Sequence, residues 1–506
     1  MPKYNEQPTD ILLSTLNARY IHTAFGLRYL LANLAELRDQ ARLLEFTIHQ
    51  RPADIVEKLL THQPQIIALG VYIWNVAETE AVVALLRTIS PHTRIILGGP
   101  EVSHPPDLPA VAELADHIIT GPGEISLREL CLDILAGRKP LQKVIPGKVA
   151  PLDQLTSPYP YYSDDDLRQR IIYVEASRGC PFKCEFCLSS LDKTAKPFAL
   201  NQFLREMETL LQRGARSFKF IDRTFNLKVS TSVRILEFFL ARMHDDLYLH
   251  FEVIPDNLPE PLRQVLRRFP PGSLQFEIGV QTFDPAIQHL ISRRQDNDRT
   301  RENLRWLRQN TSAHIHADLI FGLPGDSLEN FAASFDELVS LQPQEIQLGI
   351  LKRLRGAPLN RHTRTYQMCY NPQPPYSVVA TRDINFFTLQ QMNRFARYWD
   401  LIGNSGHFHH SLPLILGDEP FQRFFRLSEA IFHATTATWK ISLKRLYELV
   451  HTASTQALSL PPDRIEAALI ADYQQSPLKG NPSFTNDKSP ARHATFTANS
   501  RQTKHL

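Results

Sequence analysis

The sequence predicts an α/β protein built in three parts. An N-terminal doubly wound (Rossmann-like) parallel sheet spans residues 1–140, a central six-unit partial βα barrel spans 171–377, and a C-terminal helical domain spans 378–475. Three observations carry this reading. Short apolar runs alternate with segments of helical apolar spacing through the first two parts. The runs of the first part end in glycine-bearing turns, where a parallel sheet keeps its ligand-facing loops. Beyond Val378 the strand pattern stops and only helical spacing remains.

In the first part the apolar run Ile11–Leu16 precedes FGLRYLLANLAEL, whose apolar residues recur at helical spacing. RLLEFTI reads as a strand, and Pro52–His62 as a helix with proline where a first turn accepts it. IIALGVYIW is a buried strand, AETEAVVALLRTI a helix and RIILGG a strand. A short helix over Leu108–Ala115, the strand HIIT and a helix over Glu124–Ala136 complete five strands separated by helices. Gly98-Gly99-Pro100 and Gly121-Pro122-Gly123-Glu124 fall at strand ends.

Residues 141–170 read as a linker, with four prolines and the charged run Ser163-Asp164-Asp165-Asp166. Strands are then expected at 171–177, 217–222, 249–254, 273–281, 314–322 and 345–351, with helical stretches between them. Such a barrel keeps its reactive site at the strands' C-terminal ends. Four helices are expected after Val378, and residues 476–506, rich in Ser, Thr, Asn, Pro and basic residues, are expected to be disordered. The tail holds Lys479, Lys488, Arg492, Arg501 and Lys504 against Asp487, so the basic excess of the chain lies there and the body is near neutral. A near-neutral body argues against a nucleic-acid partner. No run approaches ~18 apolar residues, so no membrane partner is expected. The N-terminus lacks the pattern of a secretory signal and the five cysteines do not form a disulfide framework, so the expected location is cytoplasmic.

Three of those cysteines, Cys180, Cys184 and Cys187, lie within eight residues in ASRGCPFKCEFC, directly after the first barrel strand. Thiolates at this spacing on a strand-end loop can converge on one soft-metal centre, and three ligands on a four-iron cubane leave one iron open. A structural zinc or inert buried thiols are the alternatives; a closed zinc site needs four ligands, and no further cysteine or paired histidine lies nearby.

The CxxxCxxC motif, with Phe186 before its last cysteine, resembles that of the radical S-adenosylmethionine (SAM) enzymes, and the resemblance runs over roughly 171–360. It implies a 4Fe-4S cluster on Cys180, Cys184 and Cys187, whose open iron binds SAM for reductive cleavage to a 5′-deoxyadenosyl radical. It further implies that Phe186 contacts adenine and that Asp222 and Thr224, in DRTFN, lie near the methionine amino group. Glu277 and Gln281 correspond to residues near the ribose and carboxylate, while Gly322 and Pro324, in IFGLPG, let backbone approach the adenine. Asp222 and Glu277 also admit a plainer reading, as a strand-end cap or an ion-pair partner.

A doubly wound domain ahead of such a barrel resembles the cobalamin-binding branch of that superfamily. The implied cobalamin contacts are Asn17, His22, Gly98, Gly99, Gly121 and Gly123. The DxHxxG histidine motif is absent, which implies base-off, histidine-off cobalamin; a degenerate domain or another ligand are the alternatives, and His22 could equally cap a surface turn. The expected function is radical SAM chemistry, with methyl transfer through cobalamin or ring formation, on a small-molecule substrate, served by an electron donor such as flavodoxin or ferredoxin. The catalytic residues acting on that substrate are unknown. A non-catalytic cobalamin or redox sensor acting through the helical domain is the alternative. A tRNA methylthiolation enzyme would need three more cysteines in the first domain, where only Cys131 stands. Gly406-His407-Phe408-His409-His410 is noted as a metal or acid–base cluster or a solvated loop.

Overall fold

The computed structural model describes residues 9–480 and 482–484. It forms two compact units. The first holds the described residues up to Arg223 with Arg353–Asn360 and Asn371–Tyr376; the second holds Thr224–Lys352, Arg361–Tyr370 and the described residues from Ser377 onward.

The first unit opens with β1 (Ile11–Asn17), α1 (Phe25–Ala32), β2 (Ala41–Thr47), α2 (Pro52–Leu60), β3 (Ile66–Gly70), α3 (Val76–Ile89) and β4 (Arg94–Gly98). Then follow α4 (Val111–Leu114), β5 (His117–Thr120), α5 (Glu124–Leu135) and β6 (Val144–Pro146). The sheet is parallel in the order β2-β1-β3-β4-β5-β6. Alternate residues of each central strand enter opposite cores. Leu12, Ile67, Leu69, Ile95 and Leu97 pack with Ile55, Val82 and Leu86 of α2 and α3 on one face. Ile11, Leu13, Ile66, Ala68 and Ile96 pack with Leu31, Leu127 and Leu130 of α1 and α5 on the other. Burial on both faces explains why these strands read as continuous apolar runs. The strand order reverses direction between β1 and β3, and a crevice opens outside the strand ends at such a switch point.

The segment read as a linker contributes more structure than the sequence suggested. Val144–Pro146 adds a sixth strand, too short and too proline-flanked to register as one. The acidic run becomes α6 (Asp164–Gln169), started by a capping box in which Ser163 and Asp166 satisfy each other's backbone N–H groups. The FGLRYLLANLAEL helix ends at Ala32 and continues only as a short 3-10 turn over Ala35–Gln40.

After α6 come β7 (Ile172–Val174), β8 (Ser177–Arg178), β9 (Lys196–Pro197), α7 (Leu200–Gln212) and β10 (Ser217–Phe220). Strands β7 and β10 pair in parallel. Strands β8 and β9 pair antiparallel, Ser177 with Pro197 and Arg178 with Lys196, closing the base of the cysteine loop. The segment Arg353–Asn360 belongs to this unit as well. Arg355 Nε lies 2.8 Å from Glu101 and its guanidinium also pairs with Asp107, while Gly356 accommodates His104, whose ring a Cβ would meet at 2.2 Å.

A buried ion quartet ties these pieces together. Arg28 on α1 bonds Glu45 of β2 at 2.9 Å and Asp166 of α6 at 2.8 Å. Arg170 bonds the same carboxylates at 2.8 and 2.9 Å and donates to the Tyr20 carbonyl at 2.7 Å. All four side chains are at most a tenth exposed. Glu45 also accepts from Asn17 Nδ2 at 3.0 Å.

The second unit contains α8 (Val229–Leu240), β11 (Tyr248–Val253), α9 (Glu260–Leu266), β12 (Leu274–Gln281), α10 (Pro285–Leu290), α11 (Asn297–Asn310), β13 (His314–Phe321), α12 (Leu328–Ser340) and β14 (Glu345–Ile350). Its strands β11 to β14 pair in parallel and in chain order, the β-then-α repeat expected of a partial barrel. Two short strands, β15 (Cys369–Tyr370) and β16 (Val378–Ala380), form a hairpin. The remainder is helical: α13 (Phe386–Ile402), α14 (Leu412–Leu416), α15 (Pro420–Thr435), α16 (Leu443–Gln456) and α17 (Pro462–Gln474). Phe395 and Trp399 of α13 interleave with Phe335 of α12 and Phe421 and Phe424 of α15 at centroid distances of 4.8 to 6.0 Å. Among the described residues no helix is long and apolar enough to cross a membrane. Of the segment 476–506 expected to be disordered, the described residues make contacts: Ser476 is buried and Phe484 stacks on His451 at 4.5 Å. The rest of that expectation lies outside the described residues.

The quartet generates a stability prediction. Burial opposes charge on Glu45 and Asp166, yet the two arginines and their hydrogen bonds hold both carboxyls below the usual range. Arg28→Ala should cost about 3–5 kcal/mol by leaving two buried carboxylates to share the single charge of Arg170, read by denaturant titration. In the wild type this contribution is present above about pH 4 and fades as acid protonates the pair. Equal stability of Arg28→Ala and wild type at pH 7 would contradict it.

Candidate functional site

A cavity of about 680 Å³ opens at the carboxyl ends of β1, β3, β4 and β5, within the first unit. Such a volume suits a sizeable organic ligand. Its wall includes Asn17, His22, Gly98, Gly99, Gly121 and Gly123, so the structure brings all six residues expected at the N-terminal site around one space.

Local sequence explains each wall. The quartet fixes the first loop: Asn17 Nδ2 donates to the His22 carbonyl at 3.0 Å, which also accepts from Arg170. The His22 ring is held through Nδ1 by the Tyr173 hydroxyl at 2.8 Å. Burial, then Lys219, Arg19 and Arg170, lower its pKa, favouring the neutral imidazole. On the next loop Asn75, fully buried, donates to Thr15, Leu16 and Gly70 and accepts from the Tyr72 N–H at 2.8 Å. That brace shapes the Tyr72–Asn75 turn, where Tyr72 and Trp74 stack at 4.4 Å.

The glycines divide by role. Gly99 has φ +103, and a Cβ there would meet the Val71 carbonyl at 2.5 Å, so glycine is required by the fold itself. Gly121 has φ +69 with nothing within 4 Å of its Cβ position, and so leaves open space. Gly26, on the first turn of α1, also lines the cavity, and a Cβ there would find only the Tyr72 hydroxyl at 3.8 Å. A broad, flat cofactor fits this cradle, since strand ends and turns present backbone to it on several sides.

Residues that sequence reasoning missed line the side of the cavity nearest the cysteine loop. Arg178 bonds Glu124 at 2.9 Å and Glu175 at 2.7 Å and lies over the Tyr29 ring at 4.7 Å. Burial works against its charge, but the two glutamates outweigh it and raise its pKa. The only local signal was an arginine directly before Gly179-Cys180, which says nothing of its long-range partners.

The cysteine loop follows. Gly179 has φ +95, and a Cβ would meet the Thr194 carbonyl at 2.2 Å. Cys180 N–H donates to the Asp192 carbonyl at 3.1 Å and Cys187 N–H to the Cys184 carbonyl at 3.1 Å. The thiols are half-buried. Cys180 has a raised pKa, by burial first and then by the nearby Cys187 and Cys184. Among the described residues no group of three His, Cys, Asp or Glu side chains is gathered tightly enough to hold a single metal ion. A cubane asks something different, since its three thiolates sit on separate corners, and three soft donors on one loop fit it. Phe186 is half-buried in this loop. Asp222 is buried; it accepts from the Ala176 N–H at 2.9 Å and Ser177 Oγ at 2.6 Å, and burial pushes its carboxyl up to about 7. It therefore caps the strand end that launches the cysteine loop. Cys131, with its thiol pushed up to about 12 by burial, belongs to the hydrophobic core.

The other expected SAM residues lie in the second unit. Thr224 Oγ1 and Gln281 Oε1 are buried without hydrogen-bond partners among the described residues. Gln281 also sits at a β-bulge with φ +70. Orphaned buried oxygens and a non-glycine residue at positive φ ask for a ligand or a functional reason. Glu277 pairs with His250 at 3.0 Å. Gly322 has φ +86, and a Cβ would meet Val378 at 2.7 Å; its N–H donates to Asp326, whose carboxyl burial pushes up to about 8. Pro324 completes this turn. Among the described residues the histidines at 407–410 belong to no group of three metal-capable side chains; His410 N–H and Ser411 donate to Asp472, which braces the start of α14.

Comparison with known proteins gives three family matches in succession. Residues 12–131 match the B12 binding domain, 174–338 the radical SAM superfamily, and 364–505 a protein family of unknown function (DUF4080). Curated relatives include an uncharacterized methyltransferase of Pyrococcus horikoshii, 26% identical over 42% of this chain and 50% of the relative. The cobalamin-dependent radical SAM methyltransferase TokK of Streptomyces tokunonensis is 25% identical over 59% of this chain and 48% of its own. The chain thus spans about half the length of these relatives. Among solved structures, the cobalamin-dependent SAM radical enzyme OxsB with aqua-cobalamin bound has a TM-score of 0.62 at 14% identity, covering 92% of this chain and 80% of that one. The methyltransferase TsrM from Kitasatospora setae, with cobalamin and an iron–sulfur cluster bound, has a TM-score of 0.56 at 18% identity, covering 70% and 74%. At these identities the likeness is one of fold. The chain thus carries, in succession, a B12-binding domain, a radical SAM domain and a domain from a family of unknown function.

Proposed function

We propose that this protein is a radical SAM enzyme that holds a 4Fe-4S cluster through Cys180, Cys184 and Cys187 and cobalamin in the strand-end cavity, and that starts radical chemistry on a small organic molecule. The observation that carries the reading is that the cavity and the cysteine loop belong to one compact unit and share a wall at Arg178. The bound cluster supplies the electron that cleaves SAM. The chain's own work is to seat and orient: the strand-end glycines admit the flat ring, and Asp222 fixes the strand end before the cysteines. Related proteins named as methyltransferases favour methyl transfer over ring formation. A flavodoxin or ferredoxin is the expected electron donor, and a cytoplasmic setting suits these oxygen-sensitive parts.

Anaerobic reconstitution tests this directly. Wild-type protein should take up about four irons per chain and, with SAM and reductant, release 5′-deoxyadenosine. Replacing Cys180, Cys184 or Cys187 by Ala should abolish both, whereas Cys369→Ala should keep them. Zinc uptake without iron absorption would refute the cluster.

Gly26→Leu tests the cavity. Leucine suits the helix better than glycine by up to about 1 kcal/mol, so the melting temperature should hold. Its side chain enters the cavity, and hydroxocobalamin affinity should fall about tenfold or more, about 1.4 kcal/mol. Undiminished affinity would place cobalamin elsewhere.

Tyr173 engages His22 through Nδ1 alone, so the histidine-off reading rests on the missing DxHxxG motif and not on this contact. The EPR spectrum of reduced, cobalamin-loaded protein should lack nitrogen superhyperfine splitting and should be unchanged in His22→Ala. Splitting that disappears in His22→Ala would make His22 the axial ligand.

A further inference from the structure

We propose that Arg178 is a positioning residue that makes cobalamin binding and cluster assembly energetically interdependent. The inference rests on the cofactor assignment above and deepens it.

Arg178 ends β8, one residue before Gly179 and two before Cys180. It supplies one of the two residue pairs that close the base of the cysteine loop. Its guanidinium reaches away from that loop, to Glu124 at 2.9 Å and to Glu175 at 2.7 Å. Glu124 opens α5 immediately after the Gly121–Gly123 turn, and Arg178, Glu124, Glu175 and Tyr29 all line the cavity. One side chain therefore spans from the backbone that launches the cluster ligands to the turn on which a flat cofactor would rest.

The bridge is stiff for a physical reason. Both carboxylates are less than a tenth exposed, so separating either from the guanidinium strands a buried charge. The planar guanidinium also stands over Tyr29, which limits its freedom to swing. A shift of the Gly121–Glu124 turn on filling the cavity is thus passed to Arg178, and ordering of the cysteine loop by a cluster fixes the same turn. Each event lowers the ordering cost of the other, and the coupling is reciprocal. A salt bridge with a purely structural role would stabilise the fold equally in every cofactor state and give no coupling.

The test is a pair of affinities measured on full-length protein. Hydroxocobalamin is titrated anaerobically into cluster-free protein and into protein reconstituted with iron and sulfide, and binding is followed by absorbance. Wild type should bind about fivefold or more tightly when the cluster is present. In Glu124→Gln and Arg178→Gln that ratio should fall toward one, whatever the absolute affinities. Arg178→Lys, which keeps the charge but cannot fork to both carboxylates, should keep part of it. A ratio of one in wild type overturns the proposal, as does a full ratio in Glu124→Gln. If either variant fails to fold, the wild-type ratio decides alone. Wild type that binds no hydroxocobalamin in either state overturns the cofactor assignment and the coupling with it, whereas binding with a ratio of one overturns the coupling only.

Discussion

The quartet of Arg28, Glu45, Asp166 and Arg170 is the constraint on which the rest of the first unit depends. It gathers the first loop, α1, β2, α6 and the approach to β7 onto four mutually satisfied charges. Buried charges tolerate little displacement, because a lost partner cannot be replaced by water. The loop from Asn17 to His22 is therefore a fixed wall: its carbonyls at Tyr20 and His22 are held by Arg170, and its Asn17 amide by Glu45. Tyr173, two residues into the strand that follows Arg170, meets His22 only because that loop is fixed.

The parts legible in the sequence are those whose physics is local. Strands buried on both faces show as apolar runs, and Ile66–Gly70 and Arg94–Gly98 fall where those runs predicted. The cysteine triad is visible because its three ligands lie on one short loop. What escaped notice depends on partners far along the chain. Nothing near Glu45 or Arg28 marks them as a buried pair, and Arg178 finds Glu124 across 54 residues. Val144–Pro146 is a strand only because β5 offers it an edge. The strand-end glycines were legible as loop positions, but the sequence could not separate their causes. Gly99 is demanded by the Val71 carbonyl, whereas Gly121 leaves room.

The same contrast applies to the residues implied by family resemblance. Asp222 has a full structural explanation, as the cap of the strand end before the cysteine loop. Gln281 and Thr224 have none within the described residues, since their buried oxygens lack partners. Native structures rarely leave such groups unsatisfied, so these two point more strongly to a ligand than the better-bonded aspartate does. The helical region, by contrast, is organised around interlocked aromatic rings and a braced Asp472, features that account for its packing rather than for chemistry.

The central claim is that the strand-end cavity of the first unit is the cobalamin site. Hydrogen–deuterium exchange of the full-length protein, with and without saturating hydroxocobalamin, tests it most directly. Slowed exchange is expected in peptides covering residues 17–26, 71–75, 98–103 and 121–127, each of which contributes residues to the cavity wall. Protection confined to the helical region, or no protection at these four segments despite bound cobalamin, would contradict the account.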